Sequence, residues 1–178
     1  MALKARRRTG RAANIVPAEK SGRLIRILWL PIVIVWVAHP FILAFWRTPP
    51  TVLRPMVYSP RIAWPAAGIA GGCLALSVRC WKAMGRHWRM GIDPGEQNPL
   101  IAIGPFSLVR HPIYALSMLM MLASMAAILS PLMLGDGLLH IFLLAWESRR
   151  EERHMLQIHG EAYSEYRRKV GAFVPKLR

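Results

Sequence analysis

Cysteine is scarce in this chain of 178 residues, which has only Cys73 and Cys80. The two lie seven positions apart in one apolar segment, and a helix rising 1.5 Å per residue would hold them about 10 Å apart, beyond disulfide reach. The sequence therefore predicts no disulfide framework and no metal site of cysteine and histidine ligands.

Acidic residues are also few, nine against 24 basic ones, which gives a formal net charge of +15. In a soluble protein this charge would suggest nucleic acid as a partner. The chain shows neither an interleaved aromatic and basic platform nor a DNA-reading motif, so we expect no nucleic acid. Hydrophobic residues make up 54% of the chain, which is too apolar for an ordinary soluble domain and indicates an integral membrane protein.

Long apolar runs predict an all-α fold with about four transmembrane helices and a cytoplasmic, helical C-terminal tail, since about 20 apolar residues cross a bilayer. The last run is too long for one span, and Ser130-Pro131 divides it because serine favours the N-cap and proline the first helical turn. The predicted spans are 24–46, 62–83, 113–129 and 131–146. Gly68 and Gly72 have the spacing that lets a neighbouring helix approach closely.

The first apolar run is too long for the core of a signal peptide, so we interpret residues 1–23 as a retained basic tail. Residues 24–178 form one membrane domain. With four spans, 21 of the 24 basic residues fall on one side of the membrane. This asymmetry predicts a multi-pass protein with both termini in the cytoplasm.

A polar cluster from Gly104 to Tyr114 precedes the third span, and Glu151-Glu152 follows the fourth on the same side. Pro112 marks a helix start, whose unpaired N–H groups beside His111 suit a carboxylate. The two glutamates suit an ammonium or sulfonium. Together these groups predict a site for a small zwitterion.

These residues resemble the C-terminal signature of the isoprenylcysteine carboxyl methyltransferase superfamily, which includes phospholipid N-methyltransferases. The resemblance extends over about 85–175 and is specific for the superfamily, not for the substrate. Its motifs here are Gly85-x-x-Trp88-x-x-x-Ile92, Gly104-Pro105-Phe106, Arg110-His111-Pro112-x-Tyr114, Glu151-Glu152-x-x-Met155 and Gly160-x-x-Tyr163-x-x-Tyr166, before Pro175.

The resemblance implies a membrane enzyme that transfers a methyl group from S-adenosyl-L-methionine to a lipophilic small molecule or lipid. The cofactor would enter from the cytoplasm and the acceptor from the membrane. Carried over by position, the cofactor-binding residues are Asn98, Leu100, Ile101, Gly104, Phe106, His111, Pro112, Tyr114 and Glu151. Glu147, Arg150 and Glu152 are the candidates for catalysis and for orienting the acceptor.

Three positions depart from the family pattern. Asn98 stands where histidine is frequent and Phe106 where tyrosine is frequent, so we expect a hydrogen bond to the cofactor to be missing, while the Phe106 ring can still pack on the adenine. Glu147 replaces an arginine that faces the substrate carboxylate in the prenylcysteine enzymes. A glutamate disfavours a carboxylate acceptor and favours an amine, thiol or hydroxyl, although Arg149 or Arg150 could take the vacated role.

Several alternatives stay open from the sequence. One is a phospholipid N-methyltransferase, a second is a membrane reductase similar to the sterol reductases, and a third is a non-catalytic membrane scaffold. The Gly68/Gly72 face is one contact for a possible homodimer. His39 and His140, inside apolar spans, are interpreted as hydrogen-bonding groups between helices.

Overall fold

The computed structural model describes residues 19–85 and 99–176. Its elements are α1 (Lys20–Phe45), α2 (Pro60–Met84), a short 3₁₀ helix (Gly104–Ser107), α3 (Pro112–Ala127) and α4 (Pro131–Lys169). Over these residues the chain is all-helical, apart from two isolated backbone bridges. The predicted helical fold is confirmed.

Proline fixes the start of three of these helices. Pro60, Pro112 and Pro131 each occupy the first turn, where the missing N–H costs no helical hydrogen bond. At α4 the Ser130 hydroxyl also accepts a hydrogen bond from the Met133 N–H over 3.1 Å. The helix boundary predicted at Ser130-Pro131 is therefore confirmed.

Among the described residues, the helices α1 and α2 are long and apolar enough to cross a bilayer. Large apolar side chains cover their outer surfaces, and Ile27, Phe41 and Trp64 are among those exposed. Such surfaces suit contact with lipid chains. The apolar helix α3 has 16 residues, and α4 is apolar only in its first half. That these two also span the membrane stays a prediction.

The interior lies where α2 packs against α3 and where α4 packs against both α1 and α3. Met121, Met133 and Leu143 are fully buried there. Two histidines are buried with them and bond across elements, as predicted. His39 bonds through Nε2 to the Leu53 carbonyl at 2.9 Å, and His140 joins α1 to α3 and α4.

Gly160 interrupts α4 with φ 51° and ψ −120°, a backbone conformation that favours glycine. The helix breaks at this glycine and resumes beyond it to Lys169. Over the part of the chain that the structure describes, the expected packing role of Gly68 and Gly72 is wrong. A methyl group added at either position would meet no described atom within 4 Å, because α2 packs through the face that carries Ala66 and Cys73.

Candidate functional site

The start of α3 and the middle of α4 meet at one end of the helical bundle. The chain beyond α4 returns across this corner, where the Arg110 N–H donates to the Gly171 carbonyl at 2.8 Å and the His111 N–H donates to the Ala172 carbonyl at 3.0 Å. These backbone bonds fix the position of His111 at the entrance to α3.

Two carboxylates flank the His111 imidazole. Its Nδ1 lies 3.6 Å from Glu151 Oε2, and its Nε2 lies 3.3 Å from Glu152 Oε1. The Tyr114 hydroxyl donates to Glu151 Oε1 at 2.5 Å, and the Tyr114 ring stacks parallel to the imidazole with centroids 5.6 Å apart. His111, Tyr114 and Glu151, separated by up to 40 positions in the sequence, form one cluster.

Burial and the neighbouring charges have opposite effects on the pKa values of His111 and Glu152. Burial alone would lower the pKa of His111, but the hydrogen bonds and negative charges of Glu151 and Glu152 outweigh it and raise that pKa. Burial would likewise raise the pKa of Glu152, yet His111 and Arg110 lower it to about 2. The imidazolium and Glu152 carboxylate therefore stabilise each other's charged forms.

Arg110 connects Glu152 to the end of the chain. Its guanidinium donates to Glu152 Oε1 at 2.9 and 2.6 Å through two nitrogens, and it also donates to the Val170 carbonyl. Arg167 lies 3.5 Å from the second Glu152 oxygen. Glu152 is thus enclosed behind His111 by cationic side chains.

A cavity of about 880 Å³ opens beside the cluster and extends between α1, α2 and α3. One end is polar, with His111, Tyr114 and Glu151 in its wall. The other end is apolar. The residues that line it there are Trp29, Val33, Trp36, Val37, Pro40, Ala70, Gly71, Leu74, Met120 and Leu144. The volume is within the range of small-molecule sites.

The predicted site residues divide by their relation to this cavity. In its wall are Leu100, Ile101, Phe106, His111, Pro112, Tyr114, Glu147 and Glu151. Gly104, Arg150 and Glu152 are not in the wall. Gly104 begins the 3₁₀ helix with φ +59°, so its contribution is to the backbone turn. Asn98 lies outside the described residues.

Glu147 is held by Arg150. The guanidinium donates to both carboxylate oxygens, at 2.9 Å from Nε and 2.6 Å from Nη2, and its remaining nitrogen bonds Glu19 ahead of α1. Hydrogen bonding to Glu147 raises the pKa of Arg150 despite its burial. Both side chains are buried, so Arg150 fixes the Glu147 carboxylate in the cavity wall.

Aromatic side chains also line the cavity, among them Phe106, Tyr163 and Tyr166. The Tyr166 hydroxyl donates to the Phe106 carbonyl at 2.5 Å, and burial raises the pKa of Tyr166 to about 12. Tyr163 packs beside Tyr166 with ring centroids 5.9 Å apart. Residues of the family-like signature thus meet around the 3₁₀ helix.

Sequence reasoning missed the contribution of α1 and α2. Arg26, Trp29 and Trp36 of α1 and Trp81 of α2 line the cavity, but the resemblance begins only near residue 85. The available signal was the spacing of Trp29 and Trp36, seven residues apart on one face of a helix.

Sequence comparisons relate the chain to known proteins. The chain is 32% identical over 112 residues to the cobalt-zinc-cadmium resistance protein CzcN of Cupriavidus metallidurans, covering 62% of this chain and 48% of that protein. It is 24% identical over 139 residues to the nickel-cobalt-cadmium resistance protein NccN of Alcaligenes xylosoxydans xylosoxydans, covering 76% of this chain and 65% of that protein.

The match thus spans 48% of the length of the first of these curated relatives and 65% of the second. No solved structure matches it. The phospholipid methyltransferase family model matches residues 64–162, which include α3, the His111 corner and α4 through Glu151. The chain belongs to the phospholipid methyltransferase family.

Proposed function

We propose that this protein transfers a methyl group from S-adenosyl-L-methionine to a lipophilic acceptor in the membrane. The observation that carries the proposal is the cluster of His111, Tyr114 and Glu151 at the polar end of a cavity whose other end is apolar. Membership in a methyltransferase family gives the reaction class, and the cavity supplies separate environments for a zwitterion and a lipid-like molecule.

The cofactor's two charged poles find complementary groups. In the first turn of α3 the N–H groups of Ile113 and Tyr114 have no intrahelical acceptor, and with the His111 imidazolium they suit a carboxylate. Glu151 suits the ammonium. Phe106, Tyr163 and Tyr166 offer aromatic surfaces to the purine ring. The donor set therefore fits, and Leu100 and Ile101 complete this wall.

When bound, the cofactor supplies an electrophilic methyl group on a sulfonium. The chain's own residues then orient the acceptor in line with that methyl and exclude water. Glu147 lies in the cavity wall, and its two side-chain oxygens accept hydrogen bonds from Arg150. It is suited to take the proton that a neutral nucleophile releases as it gains the methyl group.

Glu147 also favours a particular class of acceptor. A substrate carboxylate beside Glu147 would be repelled, and Arg150 is already bonded to Glu147 and Glu19. An amine, thiol or hydroxyl is therefore preferred over the carboxylate that a prenylcysteine enzyme would methylate. We take the amine of a phospholipid headgroup as the first acceptor to test.

The orientation in the membrane follows from the same site. We propose that four segments span the bilayer and that both termini are cytoplasmic, since basic residues concentrate on the side of the His111 corner. The water-soluble cofactor then reaches the site from the cytoplasm.

The test uses the purified protein in phospholipid nanodiscs with radiolabelled S-adenosylmethionine. We expect label to appear in a lipid when vesicles of a total phospholipid extract are added, and S-adenosylhomocysteine to raise the Tm while NADPH does not. Stabilisation by NADPH alone would favour a reductase. No stabilisation by either ligand would favour a scaffold and contradict the proposal.

A further inference from the structure

His140 is fully buried behind the cavity wall and takes no part in the proposed chemistry. Its imidazole receives a hydrogen bond at Nδ1 from the Trp29 indole over 3.2 Å, and its Nε2 lies 3.0 Å from the Ser117 hydroxyl oxygen. The Trp36 ring meets it edge-on, with centroids 5.2 Å apart. These three neighbours of His140 all line the cavity.

The hydrogen-bond donors around His140 determine which of its ring nitrogens carries the proton. An indole N–H is only a donor, so Nδ1 of His140 is the unprotonated nitrogen. In the neutral ring Nε2 then carries the proton and donates it to Ser117 Oγ. The Ser117 hydroxyl accepts this bond and keeps its own proton to donate elsewhere.

Within the described residues the Ser117 hydroxyl makes only the bond to His140. Ser124 on the same helix differs, because its hydroxyl donates to the Met120 carbonyl at 2.9 Å. The relay from Trp29 through His140 thus gives Ser117 a hydroxyl proton available to a ligand in the cavity. In an apolar environment such an unused donor is costly unless a ligand accepts it.

Ser117 is also well placed along the cavity. It lies three residues beyond Tyr114 on the same face of α3, roughly 7 Å from the start of that helix at 1.5 Å per residue. A molecule with its reacting group near Glu147 and its apolar part beside Trp36 would bring a polar atom of its linking region near Ser117.

We propose that Ser117 donates a hydrogen bond to a carbonyl or ether oxygen of the lipid acceptor, and that His140 is a positioning residue which directs the Ser117 proton into the cavity. This assignment rests on the proposed methyl transfer. It makes Ser117 a determinant of acceptor binding and leaves cofactor binding to the cluster at His111.

The test measures methyl transfer to vesicles of a total phospholipid extract, with S-adenosylhomocysteine binding measured in parallel. We expect Ser117→Ala to raise the apparent KM for the extract about fivefold to tenfold, which is the effect of losing one hydrogen bond. The affinity for S-adenosylhomocysteine should be unchanged. Ser117→Thr keeps a hydroxyl and should restore the wild-type KM. The control Ser148→Ala removes a hydroxyl that donates to the Ala145 carbonyl, outside the cavity wall, and should leave KM unchanged.

The positioning role of His140 has two further readouts. His140→Ala should raise KM as Ser117→Ala does, and the double variant should cost no more than either alone, because both act on one hydrogen bond. Nitrogen NMR of protein labelled in histidine should show the Nε2–H tautomer, and Trp29→Phe should disturb that preference.

The outcomes separate this inference from the proposed function. If the wild-type protein transfers label but Ser117→Ala has an unchanged KM, the role of Ser117 is overturned and methyl transfer stands. A lower Tm without a change in KM would make the relay a purely structural contact. If the wild-type protein neither binds S-adenosylhomocysteine nor transfers label, both proposals are overturned.

Discussion

The Tyr114 hydroxyl donates to Glu151 Oε1 over 2.5 Å, which joins the first turn of α3 to the middle of α4. Glu151 also lies within 3.6 Å of the His111 imidazole, so one carboxylate bonds two residues of the opposing helix. In the proposed complex the same carboxylate faces the cofactor ammonium. Its charge therefore matters both for the corner and for the ligand.

We predict that Glu151→Gln weakens S-adenosylhomocysteine binding about 10-fold to 100-fold, the effect of losing a hydrogen bond to a charged group. Tyr114→Phe should have a smaller effect, since Glu151 keeps its charge. Binding is measured by titration of the detergent-purified protein. Glu161→Gln is the matched control, because Glu161 is exposed and, among the residues the structure describes, pairs only with Arg168. A similar loss there would contradict the assignment.

Glu147 and Arg150 allow stability and catalysis to be separated. Glu147→Gln leaves the Arg150 charge buried with a weaker partner, and breaking a buried pair costs about 3 kcal/mol. We expect a lower Tm, slower methyl transfer and retained binding of S-adenosylhomocysteine.

The double variant Glu147→Gln/Arg150→Met should recover most of the Tm because it also removes the unpaired charge. Its methyl transfer should stay slow, since the carboxylate is still absent. Recovery of both Tm and turnover would reduce Glu147 to a structural partner of Arg150. The measurements are thermal unfolding in detergent and the initial rate of label transfer.

The His111 cluster predicts opposite pH effects from its two charges. Because the pKa of His111 is raised above its ordinary value of 6.5, its contacts stabilise the fold fully below that pH and are lost as pH rises through the raised value. Because the pKa of Glu152 is lowered from 4.5 to about 2, its contribution is present above pH 4.5 and is lost as pH falls toward 2.

The stability difference between wild type and His111→Gln should therefore be largest at mildly acidic pH and shrink as the solution becomes alkaline. Thermal unfolding across pH measures this difference. In a Glu152→Gln background the difference should be smaller at every pH, since one of the two partners of His111 has lost its charge. A difference that grows with pH would contradict the assigned charges.

Local sequence rules predicted the parts of this fold that depend on neighbouring residues. Ser130-Pro131 predicted the start of α4, because serine caps a helix and proline fits its first turn. The approach of His111 to Glu151 followed from a hairpin of two helices. The cavity wall in α1 could not be predicted this way, since it depends on how distant helices pack.

Glu151 and Glu152 make different contacts because they are adjacent residues in one helix. Adjacent residues of an α-helix point about 100° apart, so the two carboxylates point in different directions. Glu151 lines the wall, and Glu152 turns toward Arg110 and Arg167. The sequence alone could not show which of the two glutamates lines the cavity, because that depends on where the fold places Arg110.

Gly160 offers a test of the helix break itself. At φ 51° and ψ −120° a side chain strains the backbone, while no described atom lies within 4 Å of an added methyl group. Gly160→Ala should therefore lower the free energy of unfolding by about 1–2 kcal/mol through backbone strain alone. Unfolding in detergent by denaturant gives this value.

Gly135 is the matched control for Gly160. It also lies in α4 and has open space around an added methyl group, but it has ordinary helical geometry. Gly135→Ala should raise the free energy of unfolding by about 0.5–1 kcal/mol, because alanine loses less chain entropy in a helix. If both variants shifted stability in the same direction, the strain assigned to Gly160 would be wrong.

The proposed topology can be tested from the two ends of the chain. A fluorescent protein that matures only in the cytoplasm, fused in turn to each terminus, should fluoresce in both fusions, because four spans return the chain to its starting side. A fusion within the turn between α3 and α4, near Leu129, should stay dark. Fluorescence from only one terminal fusion would mean an odd number of spans. Glu19 and Arg150 could then not lie on the same side of the membrane, as their ion pair requires.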